Sequence, residues 1–150
     1  MKMVNDVFDD DQMPLTEDDR ARILSRIHSL LYWLGKFIPE EELLEGQKVK
    51  LRDVIYAYVT KPNPTPEEVE GALSLAEALD KKARALEDDL RAKKLSKGQA
   101  HLLLDEICGL LRAVEEIRKS KGPEAQVKAL ALMSKVKDER RWLEFVKQVS

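Results

Sequence analysis

Val69, Ala72, Ala76, Leu79, Ala83, Leu86 and Leu90 recur at alternating steps of three and four, a spacing that lines one face of a helix for a neighbouring helix. Thr65-Pro66-Glu67-Glu68 supplies an N-cap, a proline in the first turn and the glutamate of a capping box, and Ser96 with Gln99 repeats the box for a second helix. The pattern predicts helices over 66–94 and 97–119 with almost nothing between them. The alanines of the first seam let a facing helix approach closely. On the second helix Leu103, Ile107, Leu110, Leu111, Val114 and Ile117 form a broad stripe that Ala100, Leu102, Leu104 and Ala113 widen. This helix is the expected centre of the core.

Upstream, Thr16 reads as an N-cap with Glu17, Asp18 and Asp19 at the positive end of the helix dipole. Ile23, Ile27, Leu30, Leu31, Leu34 and Ile38, flanked by Leu24 and Phe37, extend that helix to Pro39. Residues 40–51 change period and predict a small hairpin, with Gly46-Gln47 as its turn, Leu44 facing Val49 and Glu45 facing Lys48. A short helix with Val54, Ile55, Tyr58 and Val59 on its apolar face follows, until Pro62, Pro64 and Pro66 break the chain. Downstream, Gly122-Pro123 opens a final helix with Ala125, Ala129, Leu132, Val136, Leu143 and Val146 inward, and Asp138-Glu139-Arg140-Arg141 as a kink or an exposed turn. The predicted fold is mainly all-α. A bundle centred on an antiparallel helical hairpin carries a β-hairpin insertion near residues 42–51. Residues 15–150 form one helical domain behind a poorly ordered acidic tail, 1–14.

Composition supports the class: 36% of residues are charged and 5% aromatic, as in helical bundles. Cys108 is a single cysteine, no basic leader precedes an apolar run, and no apolar window approaches the roughly 20 residues that span a bilayer. A cytoplasmic protein without a membrane partner is expected. The net charge of -2 is unevenly spread. Residues 1–19 hold one lysine against seven acids, a net of -6, so the remainder must carry +4. That excess is far below the positive stripe of a dedicated nucleic-acid binder.

Two groups of side chains carry candidate chemistry. His101, Asp105, Cys108 and Arg112 share one face of the second long helix, and His28 borders the apolar stripe of the first helix. Histidine, cysteine and aspartate can ligate zinc, but a closed site needs a fourth ligand from elsewhere. A polar border with Cys108 as a small hydrophobe accounts for the same spacing. His101 and Cys108 lie two turns apart, about 10 Å, beyond hydrogen-bond reach, so no catalytic dyad follows. The glycines are scattered singly and form no phosphate-cradling loop. The second group is Trp142, Phe145 and Val149, lying off the Leu143 and Val146 stripe with Arg140 and Arg141 beside them. Tryptophan is enriched at interfaces, so this strip is the candidate partner-binding surface.

Arg22-Ile23-Leu24-Ser25-Arg26-Ile27-His28, Leu51-Arg52-Asp53, Pro66-Glu67-Glu68-Val69 with Gly71-Ala72-Leu73, and Leu103-Leu104-Asp105-Glu106 with Gly109-Leu110-Leu111-Arg112-Ala113-Val114 resemble a small family of uncharacterised archaeal proteins, a domain of unknown function found among methanogens and halophiles. The resemblance spans residues 16–119, implies an archaeal cytoplasm and transfers no catalytic residue. The expected role is a non-enzymatic interaction or scaffold protein, self-associating as a homodimer or bound to another protein, with no cofactor. Two alternatives remain open: a nucleic-acid-associated regulator using the basic C-terminal helix, and a metal-binding protein or enzyme around His101, Asp105 and Cys108.

Overall fold

Two capping boxes set the frame of the fold. Thr65 Oγ1 accepts from the Glu68 amide at 3.2 Å while Glu68 Oε1 accepts from the Thr65 amide at 3.0 Å. Ser96 and Gln99 exchange the same pair of bonds at 3.2 and 3.1 Å, so each helix starts with two of its orphan amides satisfied. The computed structural model describes residues 11–29, 32, 33, 35–121 and 141–149. Its elements are α1 (Glu17–Ile27), β1 (Glu42–Leu44), β2 (Gln47–Val49), α2 (Leu51–Val59), α3 (Pro66–Ala92), α4 (Lys97–Lys119) and α5 (Arg141–Val149).

The predicted pairing of α3 with α4 is the main contact among the described elements. Ala72 and Ala76 are fully buried and Ala83 is 2% exposed, as close packing along an alanine seam requires. From Val69 to Ala76 every residue of α3 is buried, because α5 covers the side that α4 leaves open. A helix buried all round reads as apolar all round, and here only Glu70 and Ser74 interrupt it. The link between α3 and α4 is strapped from outside. The Leu15 amide donates to the Leu95 carbonyl at 3.0 Å, and the Lys97 amide to the Met13 carbonyl at 2.8 Å. Met13 and Pro14 therefore belong to the folded body and not to the expected tail, of which residues 1–10 lie outside the described residues.

Three further expectations change. Helix α1 stops at Ile27 and does not run to Pro39. Trp33 Nε1 donates to the Ile27 carbonyl at 2.6 Å, taking an acceptor that a continuing helix would use in its own ladder. The chain then turns so that the Phe37 carbonyl and the Pro39 ring lie against α4 at Gly109, where a Cβ would meet both at 2.9 Å. Of the expected stripe, Leu30, Leu31 and Leu34 lie outside the described residues.

The hairpin forms with its turn one residue earlier than expected. Glu42 pairs with Val49, Leu43 with Lys48 and Leu44 with Gln47, leaving Glu45-Gly46 as the turn with φ of 49° and 80°. Positive φ at both central residues is the primed turn that matches strand twist. Pairing shifts by two residues, so the inward face is preserved: Glu42, Leu44 and Val49 are buried.

The third change is the inward face of α5. Trp142 is fully buried and Phe145 is 2% exposed, whereas Leu143 and Val146 are only half-buried. Phe145 Cβ lies 2.4 Å from where a Cβ on Gly71 would stand. The missing side chain of Gly71 thus makes the recess that selects the aromatic stripe. Residues 122–140, with the expected kink and the first part of the last helix, lie outside the described residues.

Candidate functional site

The polar set on α4 does not converge. His101 and Asp105 are exposed, Arg112 is half-buried and Cys108 is fully buried. The four share a face by angle, but the border between core and solvent runs through that face. Burial pushes the Cys108 thiol up to about 11, so it stays protonated and unreactive near neutrality. Asp105 instead meets Lys36 Nζ at 3.0 Å, and Arg112 Nε meets Glu116 Oε1 at 3.1 Å. His28, mostly exposed, lies 3.5 Å from Glu87. His101 joins Leu15, Asp19, Arg22, Arg26 and Lys97 around a shallow polar cleft of about 160 Å³. Among the described residues no three His, Cys, Asp or Glu side chains gather as metal ligands would.

The expected partner strip is inside the molecule. Trp142 and Phe145 pack on α2 and α3, with the Phe145 ring edge-to-face on Tyr58 at 5.6 Å and 82°. Arg141 turns its guanidinium onto the carboxylate of Glu70, which is fully buried. Val149 is half-buried against the same core, and Arg140 lies outside the described residues. By sequence the strip reads as surface, because it lies off the Leu143 stripe. The recess at Gly71, on a distant helix, reverses that assignment. Burial also pushes the Tyr58 hydroxyl up to about 12, against the lowering effect of Ser120.

What the fold does gather is an open groove of about 320 Å³ between α2, α4 and the chain before the hairpin. Ile38 and Ile55 form its floor, and Phe37, Tyr56 and Val59 stand in its walls. Phe37 is 86% exposed and Tyr56 71%. Three cations and one acid rim it: Lys36, Arg52, Arg112 and Glu116. Arg52 ties the two walls together, donating from Nε and Nη2 to the Ile38 carbonyl at 3.0 and 2.8 Å. Lys36 also lies 4.8 Å over the Tyr32 ring, and its hydrogen bond to Asp105 raises its pKa further. The sequence pattern puts Val59 on the apolar face of its short helix and Phe37 on the flank of a longer first helix, whereas both line the groove. The available signal was Tyr56, an aromatic residue off the Leu51, Val54, Ile55 and Tyr58 face.

A second cluster lies where the hairpin meets the helices. Glu42 is 6% exposed. Its carboxyl takes the ammonium of Lys82, which lies 3.5 Å from Glu106 Oε2 and donates to the Leu43 carbonyl as well. Burial raises Glu42 to about 7, the neighbouring Glu106 carboxyl adds to the rise, and Lys82 opposes it.

No described helix is long and apolar enough to cross a membrane. Neither the curated proteins nor the solved structures contain a match to the chain. Residues 15–147, reaching well past the 16–119 stretch that the resemblance covered, match the family of unknown function DUF5788, and the chain belongs to that family.

Proposed function

We propose that this protein is a non-enzymatic interaction module of the archaeal cytoplasm whose groove between α2 and α4 takes an acidic, apolar segment of a partner protein. The observation that carries this reading is a pair of largely exposed aromatics, Phe37 and Tyr56, beside an apolar floor. Singly scattered surface hydrophobics need no explanation, but a contiguous patch around a concavity does. Lys36 is shared with Asp105 and Arg112 with Glu116, so Arg52 is the surplus cation of the rim, which favours a carboxylate beside an apolar anchor. Arg52 and the Gly109 contact tie the walls to the body of the fold, which limits the ordering that binding must supply.

The probe is a labelled short peptide of alternating aspartates and phenylalanines, with serine replacing phenylalanine in the control. Fluorescence anisotropy should show saturable binding of the first peptide alone. Phe37→Ala with Tyr56→Ser should weaken it at least tenfold while leaving the unfolding midpoint within error, since both side chains are exposed. Equal binding of both peptides, or binding insensitive to the double substitution, removes this reading. Self-association through the same groove would appear as a dimer in sedimentation equilibrium that Phe37→Ala dissolves.

A further inference from the structure

We propose that the β1–β2 hairpin is a proton-controlled latch, in which a proton held on Glu42, beside Lys82 and Glu106, keeps the hairpin on α3 and α4 and its loss loosens the groove. The latch itself stands on the cluster at Lys82. Its consequence for binding rests on the groove reading above.

Glu42 points inward from β1, and among the described residues the charged groups facing it are Lys82 from α3 and Glu106 from α4. Glu41, its neighbour on the chain, faces away to Lys48 at 3.0 Å. Leu44 and Val49 complete the hairpin's buried face, so among the described residues Glu42 is the one charged group on that face. Two carboxyls meet one ammonium, with the Glu42 side chain enclosed at 5% exposure and that of Glu106 partly open at 37%, so ionising Glu42 leaves a surplus negative charge at the buried end. Keeping one proton removes it. The chain enters the hairpin from one groove wall, Phe37 and Ile38, and leaves it into the other, Arg52 to Val59. A hairpin of three-residue strands is marginal alone, so its docking depends on Leu44, Val49 and this cluster.

The sign follows from linkage. Glu42 holds its proton more tightly when docked than when released, so opening is suppressed at acid pH. Opening grows as pH rises from the ordinary value of 4.5 toward about 7, and levels off above that. One proton gives at most a tenfold rise in the opening constant per pH unit across that window.

The test is amide exchange of residues 42–49 in the full chain, corrected for the intrinsic rate, together with NMR titration of the Glu42 side chain. In the wild type the opening constant should rise several-fold per pH unit between about pH 5 and 7. Glu42→Gln, a neutral stand-in, should be flat. Glu106→Gln, at a more exposed position, should lower the Glu42 midpoint and shrink the slope even if Glu42→Gln folds poorly. A flat wild-type profile, or an unchanged slope in Glu106→Gln, overturns the latch. The labelled peptide, measured at pH 5.5 and 7.5, reports on coupling: wild-type affinity should drop several-fold and that of Glu42→Gln should not. A titrating latch with pH-independent peptide affinity overturns the coupling. A titrating latch with no peptide binding at either pH overturns only the groove reading.

Discussion

Three residues decide how the last helix sits: Gly71, Glu70 and Arg141. The recess at Gly71 admits Phe145 so closely that an added methyl would meet its Cβ, an atom that cannot rotate away. Gly71→Ala should therefore cost about 1–3 kcal/mol of stability by forcing α5 outward, against the small gain alanine normally brings to a helix. Urea unfolding of that variant checks the sign. The pair beside it has a different logic. Glu70 is fully buried while the Arg141 side chain keeps 29% of its exposure, so removing Arg141 strands a charge in the core. Arg141→Ala should cost about 3 kcal/mol, the low end for breaking a buried pair because solvent still reaches the arginine. Glu70→Leu with Arg141→Met should recover most of that loss. A double variant less stable than Arg141→Ala would show that the pair itself, and not the uncompensated carboxylate, carries the energy.

At the scale of elements, capping was local and therefore legible. Thr65 with Glu68 and Ser96 with Gln99 start α3 and α4 where the sequence places them, because a cap needs only its own three neighbours. The alanine seam was legible for the same reason of spacing. The hairpin was legible as an element and not in its turn. Gly46 suits either position of a two-residue turn, and the observed arms are those that bring Glu42 to Lys82, forty residues away. Helix α5 carries two apolar stripes within nine residues, and which one faces inward depends on α3. The candidate site was least legible. Helical angle groups His101, Asp105, Cys108 and Arg112, but only packing shows that Cys108 is enclosed while His101 and Asp105 are not. Phe37 enters the groove only because α1 ends early. That end can be tested: Trp33→Phe keeps a smaller aromatic ring there and removes the indole donor to the Ile27 carbonyl. It should cost about 0.5–1.5 kcal/mol and increase amide exchange in the last turn of α1. Unchanged exchange there would mean that the indole does not set the helix end.

Across the whole molecule, two sets of carboxyls pull stability in opposite directions with pH. Glu42 is raised, so its contribution is complete below its ordinary value of 4.5 and is lost as pH rises toward about 7. Asp19, Glu68 and Glu116 are lowered. Asp19 is held down first by the Thr16 hydroxyl and Glu68 by Lys61, while at Glu116 burial works against Lys119 and Arg112 and loses. Their contributions are present above the ordinary carboxylate values and are lost as pH falls through the lowered ones. The two limbs meet in mildly acid solution, so stability should peak near pH 5, toward the acid end of the range common for folded domains. The urea midpoint should fall from about pH 5 to pH 7 and fall again below about pH 4. Glu42→Gln should flatten the neutral limb and leave the acid limb in place. The reverse pattern, a wild-type midpoint higher at pH 7 than at pH 5, would place the dominant titrating groups elsewhere and leave the hairpin's carboxyl without a role in the balance.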